Sequence, residues 1–147
     1  MTDVRGSGLY ATLDGHEYPA TSNPNGLIDL FWDGPSAPDG FTPIRVGRWS
    51  RTVSPPLLTR LEDVDVRCTW REHRFQVGRV DGDTAVLDLL GDDSSWAAPG
   101  VLEEVYRGRW IASAPIEELL DVSEQHVDVL PLNRSKYLDA GSPGVPA

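Results

Sequence analysis

Cys68–Leu90, CTWREHRFQVGRVDGDTAVLDLL, decides how this chain is read. His73 to Val80 and Thr84 to Leu90 are rich in residues that suit strands, and Asp81-Gly82-Asp83 between them is turn chemistry. The stretch also repeats something said earlier in the chain. Tyr10-Ala11-Thr12-Leu13-Asp14-Gly15-His16-Glu17-Tyr18 lines up with Arg67-Cys68-Thr69-Trp70-Arg71-Glu72-His73-Arg74-Phe75. Leu27-Ile28-Asp29-Leu30-Phe31 lines up with Val86-Leu87-Asp88-Leu89-Leu90, and Gly47-Arg48-Trp49 with Gly108-Arg109-Trp110. Leu61-Glu62-Asp63-Val64 lines up with Leu119-Leu120-Asp121-Val122. These landmarks keep one order at spacings of 57 to 61 residues, which reads as an internal duplication.

Each copy has the same expected order. Leu9–Leu13 and His16–Ala20 are strands around Asp14-Gly15, and Leu27–Trp32 is a third. On a period of two, Ile28, Leu30 and Trp32 share the drier face, while Leu27, Asp29 and Phe31 share the wetter one. Residues 33–40, with two prolines and two glycines, form a loop. Strand segments flank Gly47, a helical turn opens at Pro55, and Leu61–Val66 closes the copy. The second copy runs through 67–70, 73–80, 84–90, a long loop over 91–100, strands around Gly108, a turn opening at Pro115, and Val127–Leu130. The domain reading is therefore copy 1 over 8–66, copy 2 over 67–131, and a tail over 132–147 that is disordered from about 139.

Bulk composition agrees with short strands. The 147 residues suffice for one ordinary domain or two very small ones, and Gly plus Pro (14 and 12) oppose long helices. Net charge is -10, from 23 acids against 13 bases, and 12 of those bases are Arg. Such a balance opposes a nucleic-acid or anionic-membrane partner, because phosphate contacts need cations, and it suits a basic protein. Cys68 is the only cysteine, so an internal disulfide is impossible, and its strand position reads as a small buried side chain. No apolar run has the length of a signal peptide core or a membrane helix, so a cytoplasmic protein is expected.

Five short strands with one helical turn before the last is the order of an SH3-like barrel. Trp49–Val53 followed by Pro55-Pro56-Leu57-Leu58-Thr59-Arg60-Leu61 resembles the end of that fold. His73–Leu89 resembles the central hairpin of Tudor- and KOW-type barrels. The resemblance covers most of residues 8–130 and implies a mostly β protein of two tandem five-stranded SH3-like barrels, side by side, with single-turn helices. In size, acidity and build the chain is similar to bacterial immunity proteins that neutralise a toxin. Its Arg-over-Lys bias and its Ala, Gly and Pro content resemble a GC-rich actinobacterial source.

Catalytic signatures are missing from the sequence. It has no Gly-rich phosphate loop, no Gly-x-Ser-x-Gly, no His-Glu-x-x-His and no Cys-x-x-Cys. His16 and His73 sit at matched strand starts but lack the further ligands a metal needs, and His126 has no nucleophile spaced to it. No cofactor and no metal site is expected. Asp92-Asp93, Glu103-Glu104 and Glu117-Glu118 read as solvated charges, and Glu103-Glu104 cannot form a catalytic pair because neighbours on a strand point to opposite faces. Trp49 and Trp110 are matched and read as core.

The candidate binding residues are Trp32, Asp33, Trp70, Asp92, Asp93 and Trp96. Trp96 stands in an acidic loop, where a large ring among carboxylates suits an anchor against a basic partner. Tudor-type barrels hold methylated cations in an aromatic cage, and neither loop here carries a complete cage. The reading is a non-catalytic protein-binding protein of the immunity type, covering a basic toxin enzyme through acidic loops and tryptophans. Two other classes stay open at this stage: a small enzyme with an inter-barrel cleft using His and carboxylate, and a KOW-like nucleic-acid or ribosome-associated module.

Overall fold

The computed structural model describes residues 4–91 and 93–140. They are mostly β, with eleven antiparallel strands and one helix. The first half contributes β1 (Gly8–Leu13), β2 (His16–Ser22), β3 (Ile28–Asp33), β4 (Thr42–Arg45) and β5 (Arg48–Val53), then a 3-10 turn at Pro55–Leu57. β6 (Arg60–Trp70) is long and is shared. The second half adds β7 (His73–Asp81), β8 (Thr84–Leu89), β9 (Glu103–Tyr106) and β10 (Arg109–Pro115), a 3-10 turn at Ile116–Glu118, and β11 (Leu120–Asp128). The helix α1 (Leu130–Ala140) follows.

Strand pairing joins all eleven in one sheet, in the order β4-β5-β3-β2-β1-β6-β7-β8-β10-β9, with β11 also on β6. Each half thus has the same local order: a closing strand beside the first, then the second, third and fifth in a meander. Each half also carries an extra short strand, β4 or β9, hairpinned through Gly47 or Gly108. Both glycines have positive φ, +78° and +79°, the conformation a tight turn requires.

Residue equivalence follows from register. Leu13 pairs with His16 and Trp70 with His73; Ala20 pairs with Leu30 and Val77 with Leu87, so the spacing is 57 through the first three strands. Ile28 faces Val53 and Ala85 faces Ala114, which raises the spacing to 61 from the fifth strand onward. Two sequence alignments therefore shift. Ile28 corresponds to Ala85 rather than Leu87, a slip of two that keeps the same face because strand side chains alternate. Leu119 corresponds to Leu58, since the N–H of each bonds back to the first residue of its 3-10 turn.

Matched positions are buried in both halves: Ala11 and Cys68, Leu13 and Trp70, Tyr18 and Phe75, Ala20 and Val77, Leu30 and Leu87, Leu58 and Leu119. The larger Trp70, matched to Leu13, goes with smaller residues at Ala85 and Ala114, where the first half has Ile28 and Val53. Full burial of a Leu or Phe contributes roughly 1.5–3 kcal/mol, so these positions dominate folding.

The described residues separate into two compact units: Gly8–Asp63 with 126–140, and 4–7 with Val64–Gln125. Along β6 the buried positions change phase, from Leu61 to Val64, Val66, Cys68 and Trp70, where the chain leaves one unit for the other. Residues before β1 serve the second unit. Ser7 donates its N–H to the Val77 carbonyl at 2.8 Å, its Oγ accepts the Val66 N–H at 2.8 Å, and Arg5 pairs with Glu124.

The largest departure from the sequence reading lies at the C-terminus. Residues 132–140, expected as tail, form most of α1, while 141–147 lie outside the described residues. The Asp128 carboxylate accepts the Leu130 N–H at 3.0 Å and starts the helix. Leu130 joins the core of the first unit, Asn133 is buried and accepts from Ser22 Oγ, and Arg134 donates to the Leu58 carbonyl. Among the described residues no helix is long and apolar enough to cross a membrane.

Candidate functional site

In the second unit the turn between β6 and β7 carries Arg71 and Glu72, both with positive φ, 51° and 67°. A two-residue hairpin of this hand requires that conformation, and Asp14-Gly15 supplies it in the first unit with residues that tolerate it. Arg and Glu adopt it only at a cost, about 1–2 kcal/mol each. Strain of this kind collects where a side chain has to be aimed. Here Arg71 lays its guanidinium 4.7 Å over the Trp70 ring.

Beside that turn is a cleft of about 350 Å³ whose walls include Trp70, Arg71, Val101, Glu103, Ala112 and Glu118. A second concavity of about 410 Å³ shares Arg71 and Val101 and extends along Glu72, Trp96 and Ala98. Trp70 is 4% exposed and donates Nε1–H to Glu118 Oε1 at 3.0 Å. It thus forms a wall, held by Phe75 at 5.6 Å between ring centroids, rather than a projecting anchor. Glu103 and Glu118 both reach solvent, so two carboxylates and one guanidinium border the cleft.

The other candidate residues distribute as follows. Trp96 is half-buried, stacked on His73 at 4.0 Å and 10°, with the edge of Phe75 at 6.2 Å. Its buried Nε1–H has no acceptor among the described residues. Asp93 is exposed; bonds from the Ser95 side chain and then its N–H hold its carboxyl below the usual range, with His73 adding to the effect. Asp92 lies outside the described residues. The second unit therefore gathers Trp70, Asp93 and Trp96 around Phe75 and His73. In the first unit Trp32 is 39% exposed and donates Nε1–H to the Ser36 carbonyl, and Asp33 pairs with Arg48 at 2.8 Å.

Trp49 and Trp110, expected as core, are half-buried; Trp49 packs against the first core and donates Nε1–H to the Gly34 carbonyl. Glu104 caps the Gly108 N–H at 3.1 Å, and His126 bonds Glu62 at 3.0 Å. Burial pushes the Cys68 thiol up, against a smaller lowering by Arg74. Among the described residues no group of three or more His, Cys, Asp and Glu side chains is arranged to hold a metal.

Sequence reading overlooked Arg71, Glu103, Glu118 and Ala112 as a set. Its one available signal was Arg-Glu at a turn whose twin is Asp-Gly. The other walls come from β9, β10 and the second 3-10 turn, about 30 to 50 residues further along the chain. No protein-family model, no curated protein and no solved structure matches the chain.

Proposed function

We propose that the chain is a non-catalytic protein-binding module of the immunity type, built as two SH3-like barrels from one duplicated sequence. The second barrel holds a basic segment of a partner enzyme in the cleft beside Trp70, and so covers that enzyme. The observation that carries this reading is the cleft itself: a concavity of about 350 Å³ lined by a buried indole, by Glu103 and Glu118, and by Arg71 of the left-handed turn. Net charge of -10 would speed encounter with a basic partner, and the walled cleft would slow release. Trp32, exposed on the first unit, suits a rim contact.

Photo-crosslinking from inside the source cells tests this. A photoreactive residue at position 103 should capture a discrete basic protein, and the same residue at Ser135, exposed on α1, should not. Equal capture from both positions, or none from 103, would remove the cleft from any binding role.

A further inference from the structure

The first unit shows what fills the matching position when the chain fills it alone. Arg51 faces Leu30 across β3 and β5, and Ala112 faces Leu87 across β8 and β10, so Arg51 and Ala112 are equivalent. Arg51 turns its guanidinium against the loop before β4. A Cβ on Gly40 would lie 3.0 Å from Arg51 Cζ, and Arg51 NH1 donates to the Asp39 carbonyl at 3.4 Å. At Ala112 that side chain is missing, and the place is part of the wall of the 350 Å³ cleft.

The surrounding residues change in the complementary sense. At spacings of 57 and 61, Leu13 becomes Trp70, Thr42 becomes Glu103, and Leu57 becomes Glu118. One half has an internal guanidinium and no acid at these positions. The other has two acids, and alanine where Arg51 stands. Glu118 spends Oε1 on Trp70, and Oε2 has no hydrogen bond among the described residues. Arg71 already covers one face of the indole, so an incoming cation is met by the carboxylates rather than by that ring face. Two carboxylates against one guanidinium leave the border at net -1.

We infer that the second-unit cleft binds an arginine side chain of the partner, in the position that Arg51 occupies internally in the first unit. The inference rests on the binding reading above and adds which group is recognised. Guanidinium suits this place better than ammonium, because its planar fork can meet two carboxylates with several donors at once.

The test uses the full chain, ¹⁵N-labelled, titrated with blocked Gly-Arg-Gly, Gly-citrulline-Gly and Gly-Lys-Gly tripeptides. The Trp70 indole N–H and the Ala112 and Ser113 amides report. The arginine peptide should shift them with saturation, citrulline should bind at least about tenfold more weakly, and lysine should fall between. Glu118→Gln keeps an acceptor for Trp70 while removing charge, and Glu103→Gln alters an exposed residue; each should weaken the arginine peptide about fivefold or more. Ala112→Arg, supplying the side chain internally, should abolish the response in a protein of unchanged circular dichroism. If that variant does not fold, the two glutamine variants decide. Equal shifts from arginine and citrulline, or full binding by both glutamine variants, overturn the inference. If crosslinking from position 103 still captures a protein in that case, the cleft binds something other than arginine, and the broader reading stands.

Discussion

Gly6→Ala is the smallest change with a large expected effect. A Cβ at residue 6 would lie 2.7 Å from the Gly78 carbonyl oxygen and 3.1 Å from Arg79 Cα, both backbone atoms that cannot swing aside. The segment would have to withdraw by roughly half an ångström to reach an ordinary contact, and overpacking of this kind costs about 1–3 kcal/mol. Full withdrawal would break the Ser7–Val77 bond and both bonds between Ser7 Oγ and Val66, three bonds at about 1 kcal/mol each. Against this, alanine lowers the entropy of the unfolded chain and returns about 0.4–1 kcal/mol. The net expectation is a loss of about 1–2 kcal/mol, read as a lower urea midpoint at unchanged slope. Amide exchange at Ser7 and Val66 should quicken more than exchange in α1. The sign is decisive. At an uncrowded glycine the same substitution is neutral or stabilising, so an unchanged or raised midpoint would refute the packing of residues 5–7 on β7.

Three further outcomes are expected. Trp70→Leu, which installs the residue found at position 13, should lose about 2–4 kcal/mol from the vacated volume and the bond to Glu118; a loss under about 0.5 kcal/mol in urea melts would mean that the indole is not buried. Trp96→Phe should stay within about 1 kcal/mol of the parent in a thermal scan, because it removes an unpaired buried donor and keeps a ring over His73, whereas Trp96→Ala should lose about 2–3 kcal/mol; equal losses for both would contradict the stack. For Cys68 the folded thiol pKa lies above its unfolded value, so its contribution is complete below the unfolded value, about 8.5, and is lost as pH rises toward the folded one. Stability of the parent should fall faster than that of Cys68→Ala above pH ~9, and parallel curves would show that the thiol is not desolvated.

How much was legible in advance can be judged residue by residue. The repeat of Tyr10–Tyr18 in Arg67–Phe75 is carried by adjacent residues in one hairpin, so local pattern sufficed and the register agrees. The strand order of the first half, the 3-10 turns beside Pro55 and Pro115, and the burial of Cys68 were likewise readable from alternation and proline, whereas the last strand, expected over Val127–Leu130, runs over Leu120–Asp128 instead. α1 was not, because its inner face is Leu130, Asn133, Arg134 and Tyr137, and a polar face gives no amphipathic signal. The cap at Asp128 and Pro131 in the first turn were the cues that remained. Trp70 was read as a candidate binding residue, and its burial as a cleft wall was not legible, since a lone tryptophan on a strand looks the same from either side.

By itself the sequence determined the local alternation, the turns and their repetition, because hydrogen-bonded hairpins and period-two burial are properties of neighbouring residues. Only the tertiary structure decided which unit takes the residues before Gly8, how α1 meets the first core, and that Ala112 lines a cleft while the matched Arg51 reaches the loop before β4. Those outcomes depend on the shape of the space between segments up to 119 residues apart, and no periodicity along the chain encodes that volume.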